Sequence, residues 1–202
     1  MVRRVRAWFK GAKYHVTSRG IRRSSLFFDD DDFEKYLALL NETKERYPFS
    51  LHTYCLMTNH THLQLDTLET PLSIIMKNLN TKFAKYINKK YDFSGHVFEK
   101  RYGAELLNSP EYEIDVSKYI HLNPTSAGMV AKPEDYPWSS CRAYIYGESI
   151  PLIDPQPLLL YFPEPPLEHY ENYLKAVPTD KFFWEDGKIQ ILDKEDVRCG
   201  LK

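Results

Sequence analysis

Long apolar runs are missing from this 202-residue chain. The longest stretch, around Pro157 to Phe162, is far too short to cross a bilayer, and the basic start carries no apolar segment of the kind that makes a signal peptide. The expectation is a cytoplasmic protein without a membrane partner. Cysteine is scarce. Cys55, Cys141 and Cys199 are odd in number and widely spaced, which excludes a disulfide framework and a Cys-x-x-Cys zinc site. They read as free thiols, with Cys55 in an apolar run as core. Net charge is also nearly absent, −1 overall, so the total gives no hint of a nucleic-acid partner. There is no internal repeat and no low-complexity tract.

The distribution of charge says more than its sum. Residues 1–28 hold eight Lys or Arg (Arg3, Arg4, Arg6, Lys10, Lys13, Arg19, Arg22, Arg23) and no acid. Residues 71–103 hold seven bases against two acids, whereas the chain from Glu148 onward is acidic. Phosphate contacts would fall on the first two blocks, although a basic block can equally be a solvated face. With 43% hydrophobic residues a sizeable core is possible. The expected division is a principal domain over residues 1–147 and a partly helical C-terminal extension over 148–202.

Residues 12–18 are rich in β-formers and stop at Arg19-Gly20, a first strand. Asp29 to Asp32 supply cap and first-turn carboxylates for a helix that Pro48 ends. Capping accounts for this acidic run better than metal binding does. Phe49 to Leu56 and His60 to Asp66 read as a hairpin turning at Thr58 and Asn59, and a second helix runs from Pro71 to about Tyr91. Val97 to Leu107 reads as a fourth strand. A third helix is capped by Ser109 and ends near Asn123, which precedes Pro124. The order β-α-β-β-α-β is a split βαβ pattern, so the expected class is α+β, ferredoxin-like or RRM-like, with a central antiparallel sheet, helices packed on one face and the other face open. Short helices are expected between Tyr136 and Tyr146 and over 167–177, with a largely extended segment between them.

His60 and His62 are two apart on a strand, so both side chains leave one face of the sheet and can share a cation. Two idle imidazoles would give the same spacing. Tyr119 and Asn123 are four apart on a helix, hence neighbours, although tyrosine in such a helix is usually core and asparagine before proline usually caps. Taken together the pairs describe a phosphoryl-transfer site in which a metal polarises a phosphate and a phenol attacks it. Phenol ionises near pKa 10, well below an alcohol, so it can be activated and later expelled by a DNA hydroxyl.

The chain resembles the single-tyrosine HUH transposases, especially the REP-associated tyrosine transposase-like group. The resemblance runs through Tyr14-His15-Val16-Thr17-Ser18-Arg19-Gly20, Leu56-Met57-Thr58-Asn59-His60-Thr61-His62-Leu63, Gly95-His96-Val97-Phe98, Arg101-Tyr102, Tyr119-Ile120-His121-Leu122-Asn123-Pro124 and Asp135-Tyr136-Pro137-Trp138-Ser139-Ser140. By resemblance His60, His62 and Asn123 are metal ligands, Tyr119 is the nucleophile, and the metal is Mg2+ or Mn2+. Such relatives cleave single-stranded DNA beside hairpins through a 5′-phosphotyrosine, and occur as monomers and homodimers. Thr61 stands where the family carries a hydrophobic residue.

Charge and pattern nominate Arg3, Arg4, Arg6, Arg19, Lys100 and Arg101 as DNA contacts. His15, His96 and His121 suit structural or substrate-orienting roles, and Trp138 suits packing. Two other functions fit the same residues. A catalytically silent hairpin- or repeat-binding protein would keep DNA affinity alone, and a metal-assisted phosphoesterase would use the histidines to activate water and leave Tyr119 in the core.

Overall fold

The computed structural model describes residues 8–176 and the backbone of two short paired strands further on. Arg3, Arg4, Arg6 and Cys199 lie outside the described residues. The first strand, β1 (Lys13–Arg19), is followed by a tight turn at 21–23 and then by α1 (Asp30–Arg46). Asp29 caps α1 by accepting from the Asp32 amide at 3.2 Å, and the Asp32 carboxylate reaches back to the Asp29 amide. The acidic run is thus a reciprocal cap, as its composition suggests.

A hairpin of β2 (Phe49–Met57) and β3 (His60–Thr67) leads to α2 (Leu72–Tyr91), a short β4 (Gly103–Leu106) and α3 (Pro110–Ser126). The strands form one antiparallel sheet in the order β2-β3-β1-β4, the connectivity of the split βαβ pattern. Alternation along each strand sorts side chains onto two faces. Tyr14, Val16, Tyr54, Leu56, Leu63 and Leu65 join Tyr36, Leu40, Leu79 and Phe83 of α1 and α2 in the main core. Cys55 and Met57, pointing the other way, pack with Val116 and Ile120 of α3. The face expected to be open is therefore covered by α3.

Two boundaries also differ from expectation. The fourth strand is not continuous from Val97. The Val97 carbonyl accepts from the Ile21 amide at 2.9 Å and the Glu99 amide donates to the Arg19 carbonyl at 3.0 Å, after which residues 100–102 leave the sheet. Pairing resumes where Gly103 opposes Thr17. Between the Gly20–Phe98 bridge and that pair, β1 advances three residues and the facing chain five, so Lys100 and Arg101 stand on a bulge. Second, α3 continues through Pro124 to Ser126. Proline here sits in the last turn, where few hydrogen bonds remain to be lost.

Beyond α3 come α4 (Cys141–Ile145), α5 (Gln156–Leu159) and α6 (Pro166–Lys175), then the paired strands β5 (Phe182–Glu185) and β6 (Lys188–Ile191). Leu152, Leu158, Tyr170 and Leu174 are buried in the main core, so the chain as far as α6 packs against the sheet domain. Trp138 stacks on Phe33 with ring centroids 4.6 Å apart, an anchor of packing.

Candidate active site

The β2–β3 turn places His60 at the mouth of the hairpin and His62 one pleat further in, half-buried and buried respectively. Their rings meet edge to face, centroids 4.9 Å apart. Antiparallel pairing sets Arg19 opposite His60 and Thr17 opposite His62. Thr61, between the histidines, faces the main core, 1% exposed, with its hydroxyl 3.4 Å from that of Tyr36. Threonine thus fills an inward position and leaves the two imidazoles on the opposite face of the sheet.

From the opposite side α3 brings Tyr119 over the same point. Its ring centroid lies 5.4 Å from that of His62 and 6.0 Å from that of His15. Asn123 donates from Nδ2 to the Tyr119 carbonyl at 2.9 Å and lies close enough to the His60 ring and the Tyr119 hydroxyl to bias the ionisation of both. Four residues drawn from a hairpin and from a helix some sixty residues later in the chain therefore converge.

Burial sets the electrostatics. It lowers His60 to about 4, helped by the Arg19 charge, and takes His62 well below its usual value, helped by His60, His15 and Arg19. Both imidazoles are neutral at physiological pH, the state a metal requires of its ligands. Burial also raises the Tyr119 phenol, against the opposing pull of Asn123 and Arg19. Arg19 thus acts on His60, His62 and Tyr119 alike, a position that suits a phosphate contact. Among the described residues no group of three His, Cys, Asp or Glu side chains gathers to hold a metal ion. Two neutral imidazoles and one amide oxygen fit a divalent cation bound incompletely by protein, with positions left for phosphate oxygen and water.

Lys100 and Arg101 do not face the histidines. They line a groove of about 740 Å³ between α2 and residues 95–102, together with Lys77, Lys85, His96 and an apolar floor of Met76, Val97 and Phe98. Groove and site adjoin through β1, because Glu99 pairs with the Arg19 backbone while the Arg19 charge acts on the histidines.

Residues 9–123 match the family described as transposase, IS200-like. The chain belongs to that family. The matched span takes in every site element, from β1 to Asn123. A Haemophilus influenzae (strain ATCC 51907 / DSM 11121 / KW20 / Rd) protein described as a REP-associated tyrosine transposase is 26% identical over 158 residues, covering 72% of this chain and 89% of its own. A REP-associated tyrosine transposase solved with a REP hairpin superposes with a TM-score of 0.64 at 18% identity, over 75% of this chain and 90% of that one. It shares the fold.

Two residues that touch the histidine pair were not singled out as its partners by the sequence, His15 and Asn59. His15 Nε2 lies 2.9 Å from His62 Nδ1, and His60 Nδ1 lies 2.6 Å from Asn59 Oδ1. Strand parity across β1 and β3 places His15 on the His62 face, and that is the signal available for it. Asn59 reads only as a turn residue. His121 is buried, bonded to Tyr170 and Ser140, and structural.

Proposed function

We propose that this chain is a metal-dependent single-strand DNA transposase that cuts beside a hairpin with Tyr119 and rejoins the strand through a 5′-phosphotyrosine. The convergence of Tyr119 and Asn123 with His60 and His62, inside the family span, carries this reading. The relative solved with a REP hairpin supports a hairpin-bearing single strand as substrate.

His60, His62 and Asn123 would hold Mg2+ or Mn2+, imidazole favouring manganese and cellular abundance favouring magnesium. When bound, the cation supplies polarisation of the scissile phosphate and a lower phenol pKa. The protein's own part follows from its geometry. Tyr119 Oη, giving up its proton, would form the bond to phosphorus as the bond from phosphorus to the 3′ oxygen breaks, and the departing oxygen takes up a proton to leave a 3′-hydroxyl end. Asn123 tethers the helix turn that carries the phenol. Arg19 offsets charge on the phosphate, and α3 over the sheet limits water around the ester. The groove of Lys77, Lys85, Lys100 and Arg101 would take the strand's backbone.

A denaturing gel of the protein with end-labelled hairpin-bearing single strands tests this. A metal-dependent protein–DNA adduct is expected, absent in Tyr119→Phe and reduced at least a hundredfold in His60→Ala and His62→Ala. Binding without any nick would make the chain a silent hairpin-binding protein. Free ends without an adduct, persisting in Tyr119→Phe, would make it a phosphoesterase.

A further inference from the structure

We propose that Asn59 and His15 are positioning residues that turn Nε2 of His60 and Nε2 of His62 toward one cation, an inference that rests on the metal-dependent reading above. An imidazole ligates only through a deprotonated nitrogen, and the partner of its other nitrogen decides which one that is.

For His60 the choice can be deduced. The Arg23 backbone carbonyl can only accept, and Asn59 Nδ2 lies 3.1 Å from it. The NH2 end of the amide therefore faces Arg23, and its oxygen faces His60 Nδ1 at 2.6 Å. An oxygen acceptor there requires a proton on Nδ1, which leaves the lone pair on Nε2. The Arg23 carbonyl is itself held. Arg22 and Arg23 both take left-handed backbone angles, φ 53° and 60°. Their turn is closed by the Arg23 amide on the Gly20 carbonyl at 3.0 Å and the Ser24 amide on the Ile21 carbonyl at 2.9 Å. The Gly20 amide then donates to the Asn59 carbonyl at 2.9 Å, a second tie between turn and hairpin. Such strained backbone persists where the surroundings over-determine it. Here it aims a carbonyl at Asn59.

For His62 the partner is another ring. His15 is fully buried on β1 and meets His62 edge to edge, centroids 5.1 Å apart and planes 13° from parallel, with Nε2 2.9 Å from His62 Nδ1. The contact itself allows either ring to donate; the proposed arrangement has the proton on His62 Nδ1, donating to His15 Nε2, which puts the His62 lone pair on Nε2. Neither Asn59 nor His15 would touch the cation. They would fix tautomer and ring angle before metal or DNA arrives.

Two measurements on the whole chain, without DNA, test this. In NMR spectra of the metal-free protein at neutral pH, both His60 and His62 are expected as the Nδ1–H tautomer. Either ring found as Nε2–H overturns the proposal, with no variant needing to fold. In calorimetric titrations with Mn2+, His15→Phe and Asn59→Ala are expected to bind about 10–100-fold more weakly than the native chain. His15→Gln, whose amide oxygen reaches the place of Nε2, is expected to recover most of the loss seen in His15→Phe. If His60→Ala and His62→Ala abolish Mn2+ binding while His15→Phe and Asn59→Ala bind as the native chain does, positioning is overturned and the metal reading stands. If His60→Ala and His62→Ala leave Mn2+ affinity unchanged, the metal reading fails and positioning falls with it.

Discussion

His15 and His121 are wholly buried, and burial takes each imidazole down from 6.5 to about 3. The unfolded chain binds these protons near pH 6.5 while the folded chain does not. The stability associated with each neutral ring is therefore complete above pH 6.5 and is lost as pH falls toward 3. Each contributes a slope of about 1.4 kcal/mol per pH unit inside that window. Thermal melts of the metal-free protein should show Tm falling between pH 6.5 and 4.5, less steeply in His121→Gln; a flat Tm contradicts this. A second single-residue constraint lies at Gly20, where an added methyl would sit 2.2 Å from the Ser24 carbonyl oxygen. Gly20→Ala must move backbone beside Arg19, and about 1–3 kcal/mol of lost stability is expected in urea denaturation. An unchanged midpoint would show that the turn yields freely.

At the scale of elements, α3 decides whether the site exists, and α6 holds it. The Tyr170 hydroxyl bonds His121 Nδ1 at 2.7 Å and Ser117 Oγ at 3.1 Å, and Lys118, fully buried, donates to the Tyr173 carbonyl. Tyr170→Phe strips a partner from a buried imidazole. A cost of about 1–3 kcal/mol is expected by chemical denaturation, with unchanged stability as the contrary result. These bonds explain why the sequence reveals α3 only in part. Val116 and Ile120 mark the sheet-facing side, but the side toward α6 is buried with Ser117, Lys118 and His121, and polar residues leave no apolar stripe to read. Hence the covered second face was not legible, although the Ser109-Pro110 start was. His60 and His62 were legible because strand alternation is strict. Their partners Asn59 and His15 were not, because strand register and the 20–23 turn bring them there. The bulge at Lys100 and Arg101 arises from unequal chain lengths across a pairing that the sequence does not display.

Across the whole molecule, a near-zero net charge conceals a basic groove beside a pair of neutral imidazoles, His60 and His62. If the groove carries the strand, Lys100→Ala with Arg101→Ala should weaken binding of unrelated single strands alike. The slope of log affinity against log salt should also drop by about 0.7 for each phosphate that is no longer neutralised. An unchanged slope would move the strand elsewhere. Because α6 packs on α3 of its own chain, Tyr119 is expected to act with the histidines of the same protomer. Mixing Tyr119→Phe with His62→Ala should therefore restore no cleavage, and restored cleavage would show exchange of α3 between copies. In the proposed reaction Tyr119 becomes covalently joined to DNA. Digestion of the trapped protein–DNA adduct followed by tandem mass spectrometry tests it most directly. The expected result is a nucleotide phosphate on Tyr119 in the peptide Tyr119-Ile120-His121-Leu122-Asn123. A nucleotide on any other residue, or cleavage that leaves every peptide unmodified, would contradict it.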